Sequence, residues 1–138
     1  ESGALLNIVS GTVAVSGNLT SSLGELIVTD GTLDITGTAA LGTTTIGVNG
    51  EIEIDGAAGL RSGAVLAIDG LFDANGDFDA TVDPPTFPNA DINFGSTGRL
   101  TLAGGTNFLG DLSTTAGTVE YDGTTQTKNF FRRGYRSG

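Results

Sequence analysis

One seven-residue pattern, Gly-x-apolar-x-apolar-x-Gly, occurs six times along the 138 residues. The copies are GTVAVSG at 11–17, GTLDITG at 31–37, GEIEIDG at 50–56, GLFDANG at 70–76, GRLTLAG at 98–104 and GTVEYDG at 117–123. Their opening glycines step by 20, 19, 20, 28 and 19 residues. The fourth copy is the loosest, with Ala74 at its second apolar place. A second alternating pair precedes each copy: Leu6/Ile8, Leu26/Val28, Ile46/Val48, Leu66/Ile68, Ile92/Phe94 and Leu112/Thr114. The first members of these pairs step by 20, 20, 20, 26 and 20. Two independent columns agree on a period near 20 and on one insertion, which is the signature of a repeat architecture.

Within each unit the apolar period is two, the mark of a strand with one buried face. Glycine closes each strand where the chain must turn sharply, often with positive φ. A weaker third strand follows in most units, at Leu19, Ala39/Leu41, Leu60, Phe78/Ala80 and Phe108. Two clear strands and a weak one in 20 residues predict a triangular coil. Stacked coils pair strand on strand in parallel at ~4.8 Å. The expected fold is therefore all-β: a single parallel β-solenoid of about six coils over residues 1–127. Its length is roughly 29 Å from that strand spacing, and it is right-handed by the usual chirality of parallel crossovers. Val13, Leu33, Ile52, Phe72, Leu100 and Val119 form one inward ladder, and Val15, Ile35, Ile54, Ala74, Leu102 and Tyr121 a second. No unit buries its apolar face alone, so neighbour stacking supplies the stability.

Composition agrees with many short strands and tight turns. Glycine contributes 23 residues and threonine 20, there is one lysine, and Cys, Met, Trp and His are absent. The lack of cysteine excludes disulfide staples and thiolate metal sites. No apolar run approaches the ~18 residues that span a bilayer. The sequence opens at Glu1 inside repeat material, as expected for a mature secreted product or a piece of a longer protein. Residues 1–127 hold all 16 acids and only two bases, Arg61 and Arg99. An acidic body repels nucleic acid and anionic membrane. It favours cationic partners, divalent metal, or the basic tail of another copy.

The heptads at 19–20-residue spacing resemble the β-helical repeats of filamentous-haemagglutinin-type adhesins and autotransporter passenger domains. They also resemble the Gly/Thr-rich repeats of large bacterial surface proteins. The resemblance covers residues 1–127. It implies an extracellular, cell-surface rod that presents loops or builds fibres and brings no catalytic residues with it. The chain departs from these families in its shortness and in its ending, KNFFRRGYRSG.

Several features depart from plain scaffold. The prolines, Pro84, Pro85 and Pro88, all fall in the insertion at about 77–90, which must leave the wall because proline cannot donate to a ladder. It reads as a tolerated surface loop or as a contact loop for a glycan or surface ligand. The outward residues between the ladder positions are Ala14, Asp34, Glu53, Asp73, Thr101 and Glu120. They stack three acids in consecutive coils, where like charges destabilise a sheet unless screened, protonated or bound to a cation. Asp73, Asn75, Asp77, Asp79 and Asp83 place oxygen ligands at alternate positions, as a calcium loop does. The plainer reading of that segment is an acidic turn, and no other cofactor is expected. Runs of threonine at 43–45 and 124–127 do not recur in one column, and Asn18-Leu-Thr20 reads as an incidental glycosylation sequon.

The tail, residues 128–138, interleaves Phe130, Phe131 and Tyr135 with Arg132, Arg133 and Arg136. It serves either as a cap on the last coil or as an arm docking on another copy, because an open solenoid end exposes strand edges and core. At the other end Leu5, Leu6 and Ile8 already belong to the first coil. Catalysis is not expected: paired carboxylates exist on paper, but there is no histidine and no aromatic platform for a sugar. The expected function is a structural subunit of an extracellular filament, sheath or surface fibre assembling head to tail. The alternative is a ligand-binding piece of a long surface adhesin.

Overall fold

The structure, a computed structural model, describes residues 5–61, 63–80, 90–109, 111–113, 116–123 and 127–129, with backbone alone at 21–23, 111–113 and 127–129. These residues form strands and no helix. The strands are β1 (Leu5–Ile8), β2 (Thr12–Val15), β3 (Leu19–Ile35), β4 (Ala39–Ile54), β5 (Ala58–Leu60), β6 (Val65–Ile68) and β7 (Leu71–Ala74). They continue with β8 (Phe78–Asp79), β9 (Asp91–Phe94), β10 (Arg99–Leu102), β11 (Thr106–Phe108), β12 (Asp111–Ser113), β13 (Thr118–Tyr121) and β14 (Thr127–Asn129). β3 and β4 stay extended around the corners, so each contributes to three walls. Every pairing among the described residues is parallel, and these residues form a β-solenoid with six rungs on each wall.

The second wall follows the heptads residue for residue. Val13 pairs with Leu33, Leu33 with Ile52, Ile52 with Phe72, Phe72 with Leu100 and Leu100 with Val119. Leu33, Ile35, Ile52, Ile54, Phe72, Ala74, Leu100 and Leu102 are all fully buried. Ala74, the weak place in the fourth heptad, has a packing reason. Its coil also places Phe72 and Phe78 inside, edge to face with ring centroids 5.5 Å apart. Two alanines, Ala74 and Ala80, leave the room that two phenylalanines take.

The first wall departs from expectation in the third coil. The expected inward pair Ile46/Val48 is replaced by Thr44/Ile46, because Thr44 pairs with Leu26 and Leu66, and Ile46 with Val28 and Ile68. Val48 is 64% exposed at the following corner. The strand register shifts between Ser21 and Glu25 and again between Val28 and Asp30, so the third coil is tighter before the wall and longer after it. Thr44 tolerates full burial because its hydroxyl donates to the Gly42 carbonyl at 3.0 Å.

The third wall also corrects one position. Leu19, Ala39, Ala58, Phe78 and Asn107 share a column. Phe108 pairs with the exposed Asp79 rather than entering the core, and Asn107 and Leu109 are the buried residues there. The insertion is narrower than 77–90. Phe78, Asp79 and Ala80 remain with the wall, Ala80 and Ala90 are buried, and the Ala90 amide donates to the Ala80 carbonyl at 3.1 Å. The inserted residues that remain, 81–89, lie outside the described residues.

Glycine's role at the heptad ends differs from the expected positive φ. Gly11, Gly31 and Gly117, which open heptads, have φ of 82°, 126° and 84°. The closing glycines Gly17, Gly37, Gly56, Gly76 and Gly104 do not. They stack corner on corner: the Gly37 amide donates to the Gly17 carbonyl and the Gly56 amide to the Gly37 carbonyl, each at 2.9 Å. A Cβ on Gly56 would lie 2.6 Å from the Gly37 oxygen. Close approach of successive coils, not backbone handedness, demands glycine there.

Candidate functional site

Two surfaces stand apart from the bare scaffold. The first is the outward face of the second wall. Register places Ala14, Asp34, Glu53, Asp73, Thr101 and Glu120 in one column, one rung apart, as the sequence predicts. Partial burial, then the facing Asp34 and Asp73 carboxylates, push the Glu53 carboxyl above its ordinary range, and Asp55 adds to this. Asn75 works against it by donating to Glu53 Oε2 at 3.5 Å and to Asp55 Oδ1 at 3.2 Å. Asp73 accepts from the Thr101 hydroxyl at 2.6 Å, and Thr32 donates to Glu51 at 3.4 Å. At the far end Arg99 on β10 pairs with Glu120 on β13 through both its Nε, at 3.1 Å, and its terminal nitrogen. Hydrogen bonds and one ion pair thus divide the repulsion within the column.

The candidate calcium ligands are spread around a corner of the fourth coil. Asp73 faces out from β7, and Asn75 makes the bonds above. Asp77 accepts the Thr106 amide at 3.0 Å, and Asp79 lies exposed on the third wall. Asp83 lies outside the described residues. Among the described residues no three acidic side chains gather where a metal ion would be held.

The second surface is the end of the solenoid formed by β1, β2 and the start of β3. Leu6 and Val13 occupy inward positions, yet each is 38% exposed, while Leu26, Leu33, Leu66 and Phe72 in the same columns are at 0%. Leu5 faces out at 59%, and Ile8, deeper in the coil, is buried. Among the described residues β1 and β2 each pair with one neighbour only, β3. The proposed docking residues of the tail, Phe130, Phe131, Arg132, Arg133, Tyr135 and Arg136, lie outside the described residues. Lys128 belongs to β14, which pairs with β11 and extends the third wall.

Sequence reasoning put Val13 in a core ladder and did not single it out as an end residue beside Leu6. The signal was its place in the first copy of the repeat. Thr43 and Thr45 face out of the first wall, where their columns hold Leu5, Glu25, Val65 and Asp91, and Asn7, Ile27, Ala67 and Asn93, so no threonine array forms. No helix among the described residues is long and apolar enough to cross a membrane. No family model, no curated protein and no solved structure matches the chain.

Proposed function

We propose that the chain is a non-catalytic structural unit of an extracellular surface fibre or sheath, lengthened by stacking the first coil of one copy on the last coil of another. The observation that carries this reading is the constant parallel register of the rungs, which a further coil would continue: among the described residues Leu6 and Val13 are each 38% exposed, while Leu26, Leu66, Leu33, Ile52, Phe72 and Leu100 in the same columns are fully buried. Parallel edges such as β1 and β2 template further strands. A head-to-tail contact joins two different surfaces and so gives an open filament instead of a closed ring. The extracellular setting rests on the likeness of the heptads to bacterial surface repeats.

A second reading, a ligand-binding piece of a longer adhesin, is supported by Ala80 and Ala90, which bracket the inserted residues 81–89, are both buried and are joined by a backbone hydrogen bond. Sedimentation and negative-stain electron microscopy of the purified chain test the first reading. Filaments should form above a critical concentration, and Leu6→Lys and Val13→Lys should abolish them while circular dichroism stays that of a folded β protein. A folded chain that remains monomeric at every concentration would overturn it.

A further inference from the structure

Resting on the stacking reading, we infer that the junction between copies has a defined register, with Glu120 of one copy seated over Ala14 of the next, and that Ala14 sets which coils can join. The first coil is the electrically silent one. No charged residue lies between Glu1 and Glu25, although the chain carries 22. The strand order supplies the register. Ala14 leads the column Asp34, Glu53, Asp73, Thr101, Glu120, and its neighbour Val13 leads Leu33, Ile52, Phe72, Leu100, Val119. Adding a sixth rung beneath the first extends both columns, which sets Val119 under Val13 and Glu120 under Ala14.

The acidic column is quiet at both ends. Inside it, Asp34, Glu53 and Asp73 face one another on consecutive rungs. Toward the far end Thr101 breaks the run, and Glu120 is held by Arg99. At the near end stands a methyl group. Joining two copies therefore adds no carboxylate pair to the column, whereas an acid at position 14 would meet Glu120 across the junction as well as Asp34 in its own chain. The same geometry excludes the wrong partner: two acidic walls brought side by side repel.

The test is filament elongation by light scattering with wild type and the variants Ala14→Ser, Ala14→Asp and Ala14→Lys. Position 14 is exposed, so each variant keeps the fold, which melting curves check. Ala14→Ser should elongate like wild type. Ala14→Asp should elongate at least tenfold more slowly. Ala14→Lys should elongate several-fold faster at low salt, and the gain should vanish in high salt and in Ala14→Lys/Glu120→Gln. If wild type elongates and all three variants match it, the register is wrong and stacking stands. If wild type never elongates, the stacking reading falls and the register falls with it.

Discussion

Phe72 meets Phe78 edge to face inside the fourth coil, with ring centroids 5.5 Å apart and planes at 65°. Both are buried beside Ala74 and Ala80. The coil cross-section is fixed by strand pairing above and below, so side-chain volume is shared within a rung. Ala74→Ile, which restores the residue found at Ile35 and Ile54, should destabilise by about 1–3 kcal/mol through overpacking. Phe78→Ala should cost about 3–5 kcal/mol through a cavity. Combining Ala74→Ile with Phe72→Val should recover part of the loss. Equilibrium urea unfolding measures all three, and an additive double variant would show that the rung does not share its volume.

The corner glycines give a sharper contrast. Gly17 has no atom of the described residues within 4 Å of where a Cβ would stand, whereas Gly56 has the Gly37 oxygen at 2.6 Å and carbon at 2.7 Å. Neither has positive φ. Gly17→Ala should be neutral or slightly stabilising through the unfolded chain. Gly56→Ala should separate two coils and lower the melting temperature strongly. Equal melting temperatures for the two variants would remove the close-approach account of the repeat's closing glycine.

Asn107 is fully buried in the third wall; its amide nitrogen donates to the Gly104 carbonyl at 3.1 Å, while its Oδ1 has no hydrogen-bond partner among the described residues. A buried acceptor left unpaired costs about 1–3 kcal/mol. Asn107→Leu should therefore stabilise the fold by about 1 kcal/mol, the lost amide bond offsetting part of the gain. A destabilised leucine variant would indicate that the oxygen is satisfied by an ordered water.

The register of the second wall was legible in the sequence because glycine brackets each strand and fixes it from both ends, although the exposure of Val13 was not. The first wall misled at Ile46/Val48 because the apolar alternation runs past the corner, and because a threonine whose hydroxyl finds a local carbonyl can stand in a core column. The third wall is short, three residues at Ala58–Leu60 and two at Phe78–Asp79, so alternation alone could not tell Asn107 from Phe108. The acidic column was legible as a run of outward positions. The bonds that temper it were not: Thr101 already stood beside Asp73 in the column, but whether its hydroxyl turns to that carboxylate depends on the rotamer, and Asn75 reaches Glu53 and Asp55 from the corner past the end of β7.

Glu53 links that column to pH. Its folded pKa lies above the ordinary 4.5, so the folded state disfavours the charged form. The stabilisation carried by the protonated group is complete below 4.5 and is lost as pH rises through the raised value. Glu53→Gln, which mimics the protonated carboxyl, should raise the melting temperature at pH 7. The difference from wild type should shrink to nothing as pH falls below 4.5. A difference that stays constant with pH would place the effect in packing.

The last prediction concerns the excursion at 81–89. In the preceding coil three residues, 61–63, join Leu60 to Ala64, and Ala64 and Ala90 occupy equivalent places because Val65 pairs with Asp91. Leu60 and Ala80 are likewise equivalent, following Gly59 and Asp79, which pair. Replacing residues 81–89 by Arg-Ser-Gly, copied from 61–63, should therefore leave both stems in place. Stability should hold or rise by about 1 kcal/mol from the shorter loop. Amide hydrogen exchange at Ala90 and Asp91 reports whether the bonds to Ala80 and Ala64 survive. The same variant separates the two functional readings. A fibre unit that grows from its ends should assemble as before, whereas an adhesin segment that recognises its ligand through this loop should lose binding while keeping its fold.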